Sequence, residues 1–191
     1  MRPRYHISTI PQFITDGHYG VDVSWRFLEK WLEGHTYDVD SPYQRSHVWT
    51  RQQASRFVEY CLKGGRHSRE LRWNRRGYNT TGKKRWQDMP ADKLASTNLE
   101  LVDGKQRLKA VRSFLADELE VFDGVLCSDF DGLEMAFKLH LSFRMTVNSL
   151  DYQVEVLQWY LDLNSGGTVH TDDELDKVKK MLQDLTQVEG V

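Results

Sequence analysis

The chain predicts an α+β fold: a mixed sheet with flanking helices and a helical C-terminal part. Three observations carry this. Residues 99–116 read as a strand that turns directly into a helix. Residues 137–148 alternate apolar and polar side chains, the mark of a half-buried strand. Several stretches with apolar residues at i, i+3, i+4 and i+7 are bounded by capping residues or glycines.

In chain order, Ser24 is a candidate cap for a helix whose apolar face is Trp25, Leu28 and Leu32, ending near Gly34. Tyr37 to Asp40 reads as a short strand. Pro42-Tyr43-Gln44-Arg45 reads as a turn or extended piece, because Pro42 lacks an N–H. Thr50 caps a helix with the stripe Ala54, Phe57, Val58, Cys61 and Leu62, and Gly64-Gly65 stops it. Residues 66–98 are polar, with one strand expected near Leu71-Arg72-Trp73. Leu99 to Val102 forms the next strand, and Leu108, Val111, Phe114 and Leu115 mark the helix after it. Phe137, Leu139, Leu141, Phe143, Met145 and Val147 define the long alternating strand. Asp151 is expected to cap a helix carrying Val154, Leu157 and Leu161. Thr171 to Glu174 is a capping box for a last helix with Leu175, Val178, Leu182 and Leu185. Asp129 and Asp131 read as turn residues beside Gly132.

At 191 residues the chain suits one domain, with a core over about 20–150 and a helical part over about 151–187. The two cysteines, Cys61 and Cys127, read as reduced core or near-core thiols. No stretch reaches the roughly 18 apolar residues that span a bilayer, and the first residues lack a signal peptide's apolar run, so no membrane partner and a cytoplasmic location are expected. The formal charge of −2 hides a split: residues 1–116 hold 21 Lys/Arg against 12 Asp/Glu, and residues 117–191 hold 5 against 16. The basic half suits phosphates. The acidic half suits solubility, a basic partner protein, or neutralisation of the other half within one fold.

Asp103-Gly104-Lys105-Gln106-Arg107 sits where the strand becomes the helix. Helix starts carry free N–H groups and partial positive charge, which favour a phosphate. Gly104 lets the backbone come close. Lys105 and Arg107 add charge-assisted bonds. Asp103 is a candidate for holding Mg²⁺ or polarising an attacking oxygen. The pattern is not the G-x-x-x-x-G-K-[ST] phosphate loop.

Tyr43-Gln44-Arg45, the capped helix ending in Gly-Gly, the Asp103–Arg107 loop and Asn164-Ser165-Gly166-Gly167 occur in an order that resembles the N-terminal domain of ParB-type proteins. The likeness is nearest to the D-G-Q-Q-R branch of GmrSD-type, modification-dependent restriction proteins. The resemblance implies a ParB/sulfiredoxin-like fold that binds and often hydrolyses nucleoside triphosphates. Carried over by motif, Gln44 and Arg45 face the phosphates, Asp103, Gly104, Lys105, Gln106 and Arg107 form the phosphate loop, and Asn164, Gly166 and Gly167 close one side. Mg²⁺ and a nucleoside triphosphate are the implied cofactors. Lys105 stands where the branch carries glutamine, and lysine is a poor general base at neutral pH, so hydrolysis can be weak while binding survives. The seven histidines show no metal-ligand spacing, and nuclease activity is not expected of this chain alone.

Between Arg66 and Trp86 stand eight Lys/Arg and one acid, Glu70, interleaved with Trp73, Tyr78 and Trp86. Cations for phosphates and rings for stacking make Arg69, Arg72, Trp73, Arg75, Arg76, Lys83, Lys84 and Arg85 candidate DNA or RNA contacts. The same composition suits a solvated loop, and Trp73 alternatively belongs to a buried strand. The leading expectation is a nucleotide-binding, NTP-hydrolysing domain acting on or beside DNA in defence, counter-defence or DNA modification. Two alternatives stay open: a kinase acting on a small hydroxyl compound or modified base, and a non-catalytic nucleic-acid or protein binding module.

Overall fold

In the computed structural model, which describes residue 14 and residues 19–34, 36–44, 49–75, 99–150, 152–164 and 172–188, the chain divides into two compact units. One is Gly17–Asp151; the other joins Met1–Asp16 to Tyr152–Val191. The first holds a five-stranded mixed sheet: β1 (Tyr19–Ser24), β2 (Tyr37–Asp38), β3 (Glu70–Asn74), β4 (Leu99–Asp103) and β5 (Ser142–Asn148). The spatial order is β1-β5-β3-β4-β2. β1 runs antiparallel to β5, β5 parallel to β3, β3 antiparallel to β4, and β4 parallel to β2. The chain is mixed α and β, as its pattern predicts.

The centre of the sheet is β3, the one strand expected inside the basic, polar stretch. Leu71 and Trp73 alternate onto the same face as Leu99 and Leu101 of β4 and Phe143 and Met145 of β5, and all six are fully buried. Helices cover this face: α1 (Leu28–Glu33), α2 (Arg51–Leu62), α3 (Lys105–Leu115) and α4 (Leu133–Leu139). Leu28 and Leu32, Val58 and Cys61, Val111 and Phe114 join the strand residues in one cluster. The α2 prediction holds in detail. Thr50 Oγ1 accepts from the Gln53 backbone N–H and Gln53 Oε1 accepts from the Thr50 backbone N–H, while Ala54, Val58 and Cys61 are buried. Gly64 then takes a φ of +89°.

Three expectations change. The alternation over 137–148 is split: residues up to Leu139 are helical in α4 and only Ser142–Asn148 is strand. Gly132, at a φ of +75°, starts α4. Leu133, Ala136 and Phe137 satisfy helical spacing as well as the alternation does, and their packing on the core settles it. Ser24 does not cap: its hydroxyl donates to the Phe137 carbonyl at 2.9 Å, and a 3₁₀ turn, Trp25–Phe27, leads into α1. β1, which the pattern did not mark, pairs with β5 along its whole length, and four of its six residues are exposed. An edge strand that buries so little carries a weak alternation signal.

In the second unit, α5 (Gln153–Asn164) packs against α6 (Asp172–Val188). α5 buries Val156, Leu157, Trp159 and Tyr160; of the expected stripe Leu157 is buried, and Val154 and Leu161 are half-buried. Val178 of α6 is buried as expected. The expected caps Asp151 and Thr171 lie outside the described residues. Among the described residues no helix is long and apolar enough to cross a membrane.

Both cysteines are free thiols, Cys61 buried and Cys127 partly so. Burial pushes the Cys61 thiol up against the opposing pull of Arg69, and burial with nearby Asp117 pushes Cys127 up. A raised folded value means the unfolded chain loses its proton first. Stability therefore falls as pH climbs above the ordinary thiol value of about 8.5. In urea titrations, Cys61→Ala is expected to flatten part of this alkaline decline, and Ellman's reagent is expected to reach Cys61 only on unfolding.

A second test concerns glycine. At Gly104 (φ +105°) an added Cβ would lie 2.5 Å from Leu71 Cδ2 and 3.1 Å from the Glu70 carbonyl, whereas at Gly64 nothing is within 4 Å. Gly104→Ala should therefore cost about 2–4 kcal/mol, the sum of backbone strain and overpacking, and Gly64→Ala only about 1–2 kcal/mol. Denaturant unfolding of the two variants side by side measures the difference.

Candidate functional site

The strand–turn–helix corner forms as the sequence predicts: β4 ends at Asp103, Gly104 turns the chain with a left-handed backbone, and α3 begins at Lys105. The start of β3 lies close against this corner, so that a Cβ on Gly104 would crowd the Leu71 side chain and press on the Glu70 carbonyl. That approach sets two arginines on one carboxylate. Asp103 Oδ2 accepts from Arg107 Nη2 at 2.5 Å and from Arg72 Nη1 at 3.2 Å. Arg72 Nη2 also meets Glu70 at 2.6 Å, and Arg107 Nη1 donates to the Ser68 carbonyl at 3.4 Å. Lys105 Nζ pairs with Asp40 at 2.7 Å. Arg72, Arg107, Asp103 and Glu70 thus share one network, and the Lys105–Asp40 pair stands at the first residue of α3.

The turn before α2 docks on the same corner. Ser41 Oγ donates to Glu100 at 2.8 Å, and the Gln44 amide N–H donates to the Ser41 carbonyl at 2.9 Å. The Gln44 side chain donates to the Leu101 carbonyl across 57 residues of sequence. Its Oε1 is buried with no hydrogen-bond partner among the described residues. Gln106, 8% exposed, accepts from the Trp49 amide at 3.3 Å. Gln44 thus bonds β4 at Leu101, two residues before the 103–107 loop, while Asp40 and Trp49 contact the loop itself at Lys105 and Gln106. Arg45 lies outside the described residues.

While both arginines hold Asp103, its Oδ2 is a poor place for a divalent metal. The oxygen that would bind it already faces two guanidinium groups, and a third positive charge there is opposed by both. Among the described residues no three His, Cys, Asp or Glu side chains gather into a metal-holding group.

Asn164 belongs to the second unit, where its amide donates to the Tyr160 carbonyl at 2.6 Å; Gly166 and Gly167 lie outside the described residues. Two nucleic-acid candidates are corrected. Trp73 is fully buried beside the rings of Trp31 and Tyr37, at 5.9 and 6.4 Å, so its faces belong to the core and not to a base. Arg69, 6% exposed, spends its guanidinium on the carbonyls of Cys61, at 2.8 Å, and His140. It ties the end of α2 to the end of α4. Arg72 belongs to the ion cluster, and Arg75 is half-buried at the end of β3 with its amide on the Asn148 carbonyl. Arg76, Lys83, Lys84 and Arg85 lie outside the described residues.

Sequence reasoning missed the wall beside Arg107. Phe57 and Tyr60 of α2, with Trp49 before it, border the same cavity as Arg107. The available signal was Gln53, Phe57 and Tyr60 at i, i+4 and i+7, a second helix face bearing rings beside the core stripe.

In comparisons with known proteins, the chain matches no family model, no curated protein and no solved structure.

The ion cluster yields a graded expectation. Asp103→Asn leaves Arg72 and Arg107, with side chains 20% and 16% exposed, without their shared carboxylate. It should cost about 1–3 kcal/mol in urea unfolding. Asp40→Asn removes a partner whose side chain is 75% exposed and should cost less than about 1 kcal/mol.

Proposed function

We propose that the head of α3 is a phosphate-binding corner and that the 17–151 unit binds a nucleoside triphosphate, with hydrolysis as the reaction it supports. The observation that carries this reading is the meeting of the start of α3 with residues before α2, two segments far apart in sequence: Lys105 pairs with Asp40 and Gln106 accepts from the Trp49 amide, beside the Arg72–Asp103–Arg107 cluster at the helix N-terminus. Arriving phosphate oxygens can take over the guanidinium bonds now made to Asp103. Arg107 and Arg72 offer planar, bidentate geometry for this, and Lys105 a point charge. Backbone N–H groups at the start of α3 then face the charge that builds during transfer. Released from its arginines, Asp103 is placed to orient a water. The water oxygen bonds to the terminal phosphorus as its proton passes to the Asp103 carboxylate, the bridging P–O bond breaks, and the leaving nucleoside diphosphate carries away the electron pair. The family resemblance extends the proposal to work beside DNA, in defence, counter-defence or DNA modification.

A second reading has one observation in its favour. Every cation of the corner is already paired with a carboxylate, and the loop carries Lys105 in place of a glutamine. Such a site holds a nucleotide without turning it over, which makes the chain a binding module.

Thermal unfolding with ATP, GTP, CTP and UTP tests the proposal. A nucleotide at 100 times its Kd should add about 2.7 kcal/mol of stability, and Arg107→Ala should remove the gain. A flat response to all four overturns it. Release of inorganic phosphate, abolished by Asp103→Ala, marks the enzyme; binding without release marks the module.

A further inference from the structure

Arg107 reaches past the ion cluster to line a cavity of about 570 Å³. We infer that this cavity is a ring-stacking subsite, so that the anion received at the head of α3 is carried on a flat heteroaromatic body and is not a bare oxyanion. The inference rests on the phosphate reading above and adds to it the part of the ligand that is not phosphate.

The lining is of two kinds. Trp49, Phe57 and Tyr60 contribute rings, and Arg56, His67 and Arg107 contribute N–H donors. Among the described residues that line it there is no carboxylate. Rings for a flat apolar body and guanidiniums for an anionic tail are complementary to a nucleoside phosphate, and the volume falls within the roughly 300–1,000 Å³ usual for small-ligand sites.

The aromatic wall is held in place without a ligand. The Trp49 and Phe57 rings meet with centroids 5.4 Å apart. The Tyr60 hydroxyl accepts from the His67 amide at 3.2 Å. The Tyr60 ring lies flat on Gly65, where an added Cβ would be 2.3 Å from Cζ, and the Gly65 amide bonds the Tyr60 carbonyl at 2.9 Å. Gly65 is thus the floor that lets the ring lie down. A ring fixed at its hydroxyl and along its face loses little freedom when a base stacks on it. Edge recognition is sparse by comparison. Gln53 already uses its Oε1 on the Thr50 amide at 2.8 Å. Selection here works by stacking area more than by base identity.

The test compares ATP with inorganic tripolyphosphate by isothermal titration calorimetry on the full chain. Tripolyphosphate carries at least as much charge and no ring, so tighter ATP binding reports the ring. ATP is expected to bind on the order of tenfold more tightly, and Tyr60→Ala should erase that advantage while leaving tripolyphosphate binding within about twofold. Gly65→Val, which lifts the Tyr60 ring, should act in the same direction. Equal affinities for the two probes in the unmodified protein overturn the ring subsite and leave the phosphate corner standing. Binding of neither probe, or binding of both unaffected by Arg107→Ala, overturns the phosphate reading and the subsite with it.

Discussion

The contact of Gly104 with the Glu70–Leu71 backbone governs the arrangement of everything around it. Because position 104 has no side chain, β3 can lie directly against the turn between β4 and α3. The register that results places Arg72 opposite Asp103. It also brings the Ser68 carbonyl within reach of Arg107. A methyl group at this point would lie 2.5 Å from the tip of the Leu71 side chain and 3.1 Å from the Glu70 carbonyl, so both would have to give. The left-handed backbone and the close approach are thus one constraint seen twice: a turn tight enough to start α3 in the right direction, and a gap small enough to assemble an ion cluster.

That cluster has a consequence for chemistry. A corner rich in cations but without carboxylates would repel itself in the absence of a ligand. Here Glu70, Asp103 and Asp40 hold the cations in position at all times. The geometry is set before a ligand arrives, at the cost of a competition between carboxylate and ligand oxygens. The neighbouring cavity has no carboxylate among its described lining residues, although its Arg107 is held by Asp103, and its Tyr60 ring is braced by the glycine after α2. The two regions share Arg107, which links a self-neutralised polar corner to a cationic, aromatic one.

Reading the chain element by element worked best where local interactions decide the outcome. The Thr50–Gln53 capping box needs only four consecutive residues, and it forms. The apolar spacing of α3 puts Leu108, Val111 and Phe114 in the core. The strand at Leu71–Trp73 was visible, but its central position was not, because pairing partners come from both ends of the unit. The same gap explains Arg69 and Trp73. In a polar, basic stretch Arg69 looks like a surface residue, and Trp73 fits a surface ring and a buried strand equally. In the fold one is a buried strut between two helix ends and the other a core ring. At 133–141 the apolar spacing satisfies two periods at once, and no local rule chooses between them.

The order of the residues was therefore enough to establish the mixed class, the capped helices and the strand–glycine–helix corner, since each depends on hydrogen bonds and side-chain periods within a few neighbours. The meeting of Gln44 with Leu101, the pairing of Arg72 with Asp103 and the ring wall beside Arg107 join segments separated by dozens of residues. Such contacts exist only once a shared core holds the strands in register, because burial of apolar faces, and not local preference, selects which distant segments touch.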